Sequence, residues 1–335
     1  MGIFKNKKHW QDMTQDALNV YAKEIFDHYR THGFPYYSTE YVDRKKEFDK
    51  LMRFDCKDII VDKNIRQTMH GLSLAWSYMP HSFSIPCNGF KTPTEIFDND
   101  DLFLKAIHKR LRLGDNISDA GIRKALKIYS GAQSVSNFRP TAACAIYDQF
   151  AGNGMVLDMS AGYGGRMLGA IKSNRVKQYI GLDPCSLTFD GLNKMRKDFD
   201  KDIKCHVFAL GSEEFCLFES FDLCFTSPPY FDTEKYSNES TQSYVKFPKL
   251  ECWYKHFLQK TIHNCFKSLK ANGYLILNIK DSKKMPDFTE RALAYAKNIG
   301  FSFVDEYKLS LSNLATFTNN KDTYTYEPVL IWKKV

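Results

Sequence analysis

The chain has 335 residues, 43% of them hydrophobic, enough for one large packed domain and an accessory one. Its formal net charge is +8, shared between residues 1–130 and the remainder, so charge by itself points only weakly to a polyanionic partner. No apolar run reaches the roughly eighteen residues that span a bilayer. No secretory leader pattern is visible, and nine scattered cysteines form no Cys-x-x-Cys pair; these features point to free thiols, no metal site and a cytoplasmic protein.

Met1-Gly2 lacks the Ser or Thr that a myristoylation motif needs at residue 6, which is Asn6. Lys7-Lys8 and Arg44-Lys45-Lys46 read as solvated helix faces. From residue 9 to 29 the apolar spacing Trp10, Met13, Leu18, Tyr21, Ile25, Phe26, Tyr29 predicts an amphipathic helix. Gly33-Phe34-Pro35 ends it, and residues 45–52 are predicted helical again. Trp76, Tyr78, Met79, His81 and Phe83 form an aromatic-rich stretch before a Pro/Gly-rich segment over 86–93. Helices are predicted near 93–97, over 103–113 and over 118–129. A boundary is expected within Ser130-Gly131-Ala132-Gln133, giving a mainly helical N-terminal domain, 1–130, and a second domain, 131–335.

Beyond that point helix and strand alternate as a parallel sheet requires. Strands are predicted at 156–158, 179–183, 204–208, 223–226, 274–279, 301–310 and 325–332, with helices at 166–172, 186–199, 251–269 and 288–299. The last two strands follow each other without a helix, as in a closing antiparallel hairpin. The first strand runs into Asp158-Met159-Ser160-Ala161-Gly162-Tyr163-Gly164-Gly165. Such a glycine turn lets the backbone approach a ligand at a helix N-terminus. The second strand ends at Asp183, an acid placed to grip a ribose diol. The fourth ends in Thr226-Ser227-Pro228-Pro229-Tyr230. Two prolines stiffen that segment and remove two backbone donors, leaving carbonyl and hydroxyl acceptors for an amino group and a tyrosine ring for a heterocycle. Taken alone, the same residues read equally as a Pro-Pro loop after any strand.

Together these motifs resemble class I S-adenosylmethionine-dependent amino-methyltransferases, the DNA N4-cytosine/N6-adenine family of Ser-Pro-Pro-Tyr type, over about the last 200 residues. The resemblance implies an α/β, Rossmann-like fold with a mostly parallel seven-stranded sheet. It implies S-adenosyl-L-methionine as cofactor, held by Asn137, Phe138, Arg139, Pro140 and Thr141 before the first strand, and by Asp158, Ala161, Gly162, Tyr163 and Gly164. Asp183, Ser212 and Thr226 complete that set. Ser227, Pro228, Pro229 and Tyr230 are implied as the catalytic segment, and serine in first place favours cytosine N4. The family often carries an acid after the third strand, near the cofactor's adenine; here Gly211 stands in that slot, leaving Ser212, Glu213 or a backbone group.

The implied activity is methyl transfer to the exocyclic amine of a base flipped out of duplex DNA, as in restriction-modification systems. Adenine N6 in DNA, an RNA amine, and a non-catalytic scaffold are the alternatives. Residues 231–250 read as a long polar loop, either a linker or a nucleic-acid contact through Lys235, Tyr236, Gln242 and Lys246. Residues 1–130 are expected to recognise the target sequence, with Trp76 and Tyr78 available either for bases or for core. Pro86-Cys87 precedes the glycine turn and so reads as structural, not as a nucleophile.

Overall fold

The structure, a computed structural model, describes residues 10, 13–128, 131–200, 203–311 and 325–335. Met1-Gly2, Lys7-Lys8, the helix start at residue 9, and Tyr129-Ser130 at the expected boundary lie outside the described residues. Two compact units emerge: residues 1–38, 80–136 and 234–236 in one, and 39–79, 137–233 and 237–335 in the other. The chain therefore does not divide once, near residue 130. Residues 39–79 belong with the sheet because they supply two strands to it and fix helices around it.

The sheet has nine strands: β1 Ile60–Val61, β2 Asn64–Ile65, β3 Met155–Asp158, β4 Gln178–Leu182, β5 Lys204–Phe208, β6 Phe221–Thr226, β7 Leu269–Asn278, β8 Phe301–Ser310 and β9 Tyr326–Lys334. Their order is β1-β2-β8-β9-β7-β6-β3-β4-β5. Strands β5, β4, β3, β6 and β7 are parallel, and β9 runs antiparallel between β7 and β8. The seven strands read from sequence are all present. The count of seven is corrected to nine: β1 and β2 turn through Asp62 and Lys63, both at positive φ, and β2 adds itself parallel to β8 through Asn64↔Lys308 and Ile65↔Leu309. Strand β6 is buried at every position, as a central parallel strand covered on both faces must be.

Helix Leu250–Trp253 continues through a π turn, Tyr254–Leu258, into Gln259–Ser268. Its Trp253, Tyr254 and Phe257 pack with Leu275, Phe288 and Trp332 in one core beneath the sheet. Segment 39–79 is bound to this unit by side chains: Thr68 Oγ1 meets Thr141 Oγ1 at 2.8 Å, and Tyr78 OH donates to Asp198 at 2.5 Å. Trp76 and Tyr78 are buried, Trp76 against the Tyr163 ring at 5.1 Å and Tyr78 beneath the Arg44 guanidinium at 3.7 Å. Both rings are core, which removes them as base-stacking surfaces.

The other unit is helical, as its apolar spacing predicts. Helices Gln15–His32, Asp100–Arg112 and Asp119–Ile128 bury Ile25, Phe103, Ile107 and Ile122 on facing stripes. Arg30 lies over the rings of Phe26, Phe97 and Phe103, and its guanidinium donates to Asp100 and the Phe97 carbonyl at 2.7 Å each. In this unit residues 234–236 meet the Pro/Gly-rich segment: Lys235 N donates to Pro86 O at 3.0 Å, and Glu234 pairs with Cys87.

Candidate active site

Strand order reverses between β3 and β6, so the loops leaving their carboxyl ends diverge and open a crevice. The glycine turn leaves β3 and Ser227-Pro228-Pro229-Tyr230 leaves β6, two residues past the register pair Leu157↔Cys224. Asp183 leaves β4, the neighbour of β3 on the other side. Sheet topology thus brings the three motifs separated in sequence to one edge.

Asp158 ends β3 with no exposure, and four donors converge on its carboxylate. Arg166 Nε (2.9 Å) and Tyr179 OH (2.7 Å) reach Oδ2, while Thr226 Oγ1 (3.2 Å) and Ser160 N (3.3 Å) reach Oδ1. A carboxylate offers about four lone-pair sites, so this one is saturated by its own protein. The resemblance assigns both Asp158 and Thr226 to the cofactor. Their polar atoms instead bond each other, tying β6 to β3 directly beneath Ser227. Burial alone would pull Arg166 down; the Asp158 carboxylate more than offsets this and holds the guanidinium protonated. Burial, then the same carboxylate, pushes the Tyr179 phenol well above its usual range.

The three turn glycines have different duties. Gly162 (φ 54°) and Gly164 (φ 79°) sit in the left-handed region. A Cβ on Gly162 would meet only Ser160 O, at 3.8 Å, so its outer side is open. On Gly164 it would strike Met195 at 2.7 Å, so that glycine serves packing against helix Ser186–Phe199. On Gly165 it would lie 1.9 Å from Phe138 O, so residues 137–138 rest directly on the helix start. Asn137 spans the turn there, accepting from Gly165 N at 3.3 Å and donating to Tyr163 O at 3.1 Å. Phe138 meets Phe225 edge to face at 5.3 Å. Arg139 is held by Gln67 Oε1 at 2.9 Å, Pro140 opens helix Pro140–Phe150, and Thr141 is fully buried against Thr68. Of this segment, Asn137 and Phe138 stand at the turn, whereas Arg139 and Thr141 are tied to residues 67–68. Ala161 N bonds Leu182 O at 2.8 Å and so joins the turn to β4.

Asp183 accepts from Gly162 N and Cys185 N, at 3.0 Å each, which leaves two of its lone-pair sites for another ligand. Burial pushes its carboxyl up to about 7, against the pull of those two backbone donors. On the β6 side, Ser227 is half-buried and its hydroxyl bonds no other group among the described residues. Pro228 is buried and Pro229 half-buried. Tyr230 is fixed at both ends: its OH accepts from Lys280 N at 3.0 Å, and its ring meets Phe288 at 5.3 Å and 83°.

Residues 237–250 are not an open polar loop. Glu239 accepts from Ser186 N at 3.1 Å and from the Ser186 hydroxyl, Thr241 donates to Pro184 O at 2.9 Å, and a short helix forms at Ser243–Lys246. Lys246 Nζ lies 2.7 Å from Glu213 and 2.5 Å from Glu214. Gln242 is 3% exposed. Lys246 and Gln242 are therefore corrected as nucleic-acid contacts: the first is neutralised by two carboxylates, the second is buried. Lys235 is exposed, and Tyr236 bonds Glu234. Ser212 Oγ is likewise spent, on Thr261 at 2.8 Å. Glu213, the other side-chain candidate for the cofactor's adenine, folds its carboxylate back on Gly211, and among the described residues its buried Oε2 has no hydrogen-bond partner. All nine cysteines are free thiols, and no metal-binding group of side chains exists among the described residues.

No family model matches the sequence, and no curated protein does. Among solved structures, a methyltransferase from Pyrococcus furiosus superposes with a TM-score of 0.41 at 16% identity, covering 58% of this chain and 82% of its own. The [4+2]-cyclase SpnF gives 0.40 at 13% identity, with the same two coverages. The N-methyltransferase NodS from Bradyrhizobium japonicum gives 0.38 at 9%, covering 56% of this chain and 91% of its own. At this level of similarity they carry no argument about the reaction.

Proposed function

We propose that this protein is an S-adenosyl-L-methionine-dependent methyltransferase acting on the exocyclic amine of a nucleobase, with cytosine N4 in DNA as first choice and adenine N6 as its variant. The observation that carries this reading is the placement of Gly162, Asp183 and the Ser227 hydroxyl, unbonded among the described residues, at the carboxyl ends of adjacent strands, across the strand-order reversal. The residues fit the cofactor: Gly162 leaves open space on its outer side, and Asp183 keeps acceptor sites for a ribose diol. When bound, the sulfonium supplies an electrophilic methyl group.

The protein's own part is to position and to accept. A base amine is a weak nucleophile because its lone pair is delocalised into the ring. Ser227 Oγ and the Pro228 carbonyl accept its hydrogens, favour pyramidal nitrogen and stabilise the charge that develops. The Pro-Pro pair keeps these acceptors rigid. Tyr230, with hydroxyl and ring edge both anchored, supplies a fixed wall rather than a mobile side chain. Holding nitrogen and methyl in line is worth on the order of 7 kcal/mol in favourable cases. DNA as partner rests on the Ser-Pro-Pro-Tyr resemblance. The test is incubation with isotope-labelled cofactor and duplex DNA, or RNA, followed by nucleoside mass spectrometry. Label in N4-methylcytosine is expected, and N6-methyladenine would replace cytosine while keeping the mechanism. Label in 5-methylcytosine, or none in any nucleoside, would overturn the reading.

A further inference from the structure

Two thiols that the proposed reaction does not use share one cleft. Cys56 follows helix Tyr41–Arg53, in a turn where Lys57 N donates to Asp55 Oδ1 at 3.0 Å. Cys144 stands in helix Pro140–Phe150. Both line a cleft of about 600 Å³ with an exposed rim, Asp55, Lys57, Gln149 and Asn174, and both are buried at its floor beside Ala145. The two thiols are hydrogen-bonded to each other. The Cys144 S–H has a second acceptor in Asp148 Oδ2, 3.6 Å from Sγ, and Ser173 Oγ donates to the other oxygen of that carboxylate at 2.5 Å. Lys172 Nζ donates to Met52 O at 3.1 Å, which ties helix Gly165–Lys172 to the segment carrying Cys56. The bond from Cys144 holds the Cys56 thiol below its usual range; the Lys172 ammonium acts in the same sense, and burial opposes both. Giving that bond, and burial, push the Cys144 thiol far above its own range. One sulfur is thus favoured as thiolate, and its neighbour stays a protonated reserve. Adjacency alone does not produce this. Cys224 of β6 and Cys265 of helix Gln259–Ser268 are also hydrogen-bonded, but both lie fully buried in the core beneath the sheet, and burial pushes Cys224 well above its usual range.

We infer that Cys56 and Cys144 are a peroxide-responsive pair, Cys56 attacking and Cys144 resolving, which closes a reversible disulfide between segment 39–79 and helix Pro140–Phe150. The co-reactant is a hydroperoxide that enters the cleft. The Cys56 thiolate attacks its terminal oxygen: an S–O bond forms, the O–O bond breaks, and the departing oxygen takes the proton that Cys56 released. Cys144 then attacks the sulfenic sulfur. The S–S bond forms, the S–O bond breaks, and hydroxide leaves as water with the Cys144 proton, passed through Asp148. Two thiols and one peroxide give one disulfide, one water and one alcohol, or a second water from hydrogen peroxide. The two electrons lost by the sulfurs are those that reduce the O–O bond. Transient disulfides of this kind are the ones expected of a protein that otherwise keeps its thiols reduced.

The test treats reduced, full-length protein with equimolar hydrogen peroxide, quenches with N-ethylmaleimide and maps the cysteine peptides by mass spectrometry without reduction. A Cys56–Cys144 linked peptide is expected, lighter by two hydrogens than its parts and separated again by dithiothreitol. Cys56 should be lost at least about tenfold faster than Cys224 or Cys265, the buried pair that serves as internal control. Cys144→Ser, checked for a wild-type unfolding transition, should stop at the sulfenic acid and accumulate a dimedone adduct on Cys56 that wild type does not. The inference is overturned if the folded wild type forms no 56–144 link, or forms it only in urea. It is overturned equally if Cys56 and the control pair react at one rate, or if folded Cys144→Ser traps no more adduct than wild type.

Discussion

The two loops flanking the strand-order reversal are built on opposite principles. On the β3 side the polar groups are consumed internally: Asp158 by four donors, one of them Thr226 from β6, and Asn137 by the turn's own backbone. On the β6 side the backbone is held just as firmly, by prolines and by Tyr230, yet Ser227 presents an uncommitted hydroxyl. One loop spends its hydrogen bonds on shape, and the other keeps one for chemistry. Substitutions in the first should therefore act on folding, and in the second on turnover.

The largest effect is expected at Asp158. Asp158→Ala strands the Arg166 guanidinium, 5% exposed, without its counter-charge. Removing one partner of a buried pair costs about 3–5 kcal/mol, so chemical denaturation should show a loss of that size. A folded variant of unchanged stability with lost cofactor binding would mean that Asp158 is a ligand after all, and the contrast between the loops would collapse.

Ser227→Ala comes next. With its acceptor gone, kcat should fall roughly a hundredfold, an effect of the size seen when one preorganised hydrogen-bonding group is removed. The unfolding midpoint and cofactor Kd should stay near wild type, because the Ser227 hydroxyl bonds no other group among the described residues. A comparable drop in stability would assign the residue to structure instead.

Asp183 belongs to both principles, since backbone donors fix it and acceptor sites remain. Its carboxyl titrates near 7 in the folded chain, raised by burial above the ordinary value of 3.8. The folded state therefore holds a proton that the unfolded state has released, and this group's contribution to stability is lost as pH rises from about 4 to 7. Cofactor binding runs the other way, because only the ionised form offers acceptors to both ribose hydroxyls. Affinity should improve by up to about tenfold between pH 6 and pH 8. Asp183→Asn should weaken binding by about 1–3 kcal/mol and flatten that profile, both readable by calorimetry. A wild-type affinity independent of pH would remove Asp183 from the ribose site.

Both loops were legible in the sequence because their residue types encode local geometry: glycines for a left-handed turn, paired prolines for a stiff one. All seven strands of the α/β region were legible for a similar reason, as short apolar runs bounded by turn residues. What escaped was long-range. Strands β1 and β2 are two residues each, and nothing in Asn64-Ile65 announces a partner some 240 residues away, nor anything in Ile60-Val61 the short hairpin that pairs it with them. The 237–246 strap has no periodicity, since its order comes from polar bonds to turns far back in the chain. An aspartate at a strand end also looks the same whether a ligand or Arg166 will take it. Burial and bond count separate those cases, and sequence carries neither.

The smallest effect, and the finest test of the contrast, lies at Tyr230. Its hydroxyl accepts from Lys280 N and its ring meets Phe288, so it is a fixed wall within a loop meant for chemistry. Tyr230→Phe keeps the ring and the Phe288 contact but leaves the Lys280 N–H without its acceptor. The cost should be about 0.5–1.5 kcal/mol of stability with little change in kcat. Tyr230→Ala should in addition lose the surface against which a base packs, worth roughly 1–3 kcal/mol in acceptor affinity. Measured together, the two variants separate holding the wall in place from presenting it. If Phe loses turnover as severely as Ala, the hydroxyl acts on the acceptor itself, and the bond to Lys280 must be exchanged for one to the target during the reaction.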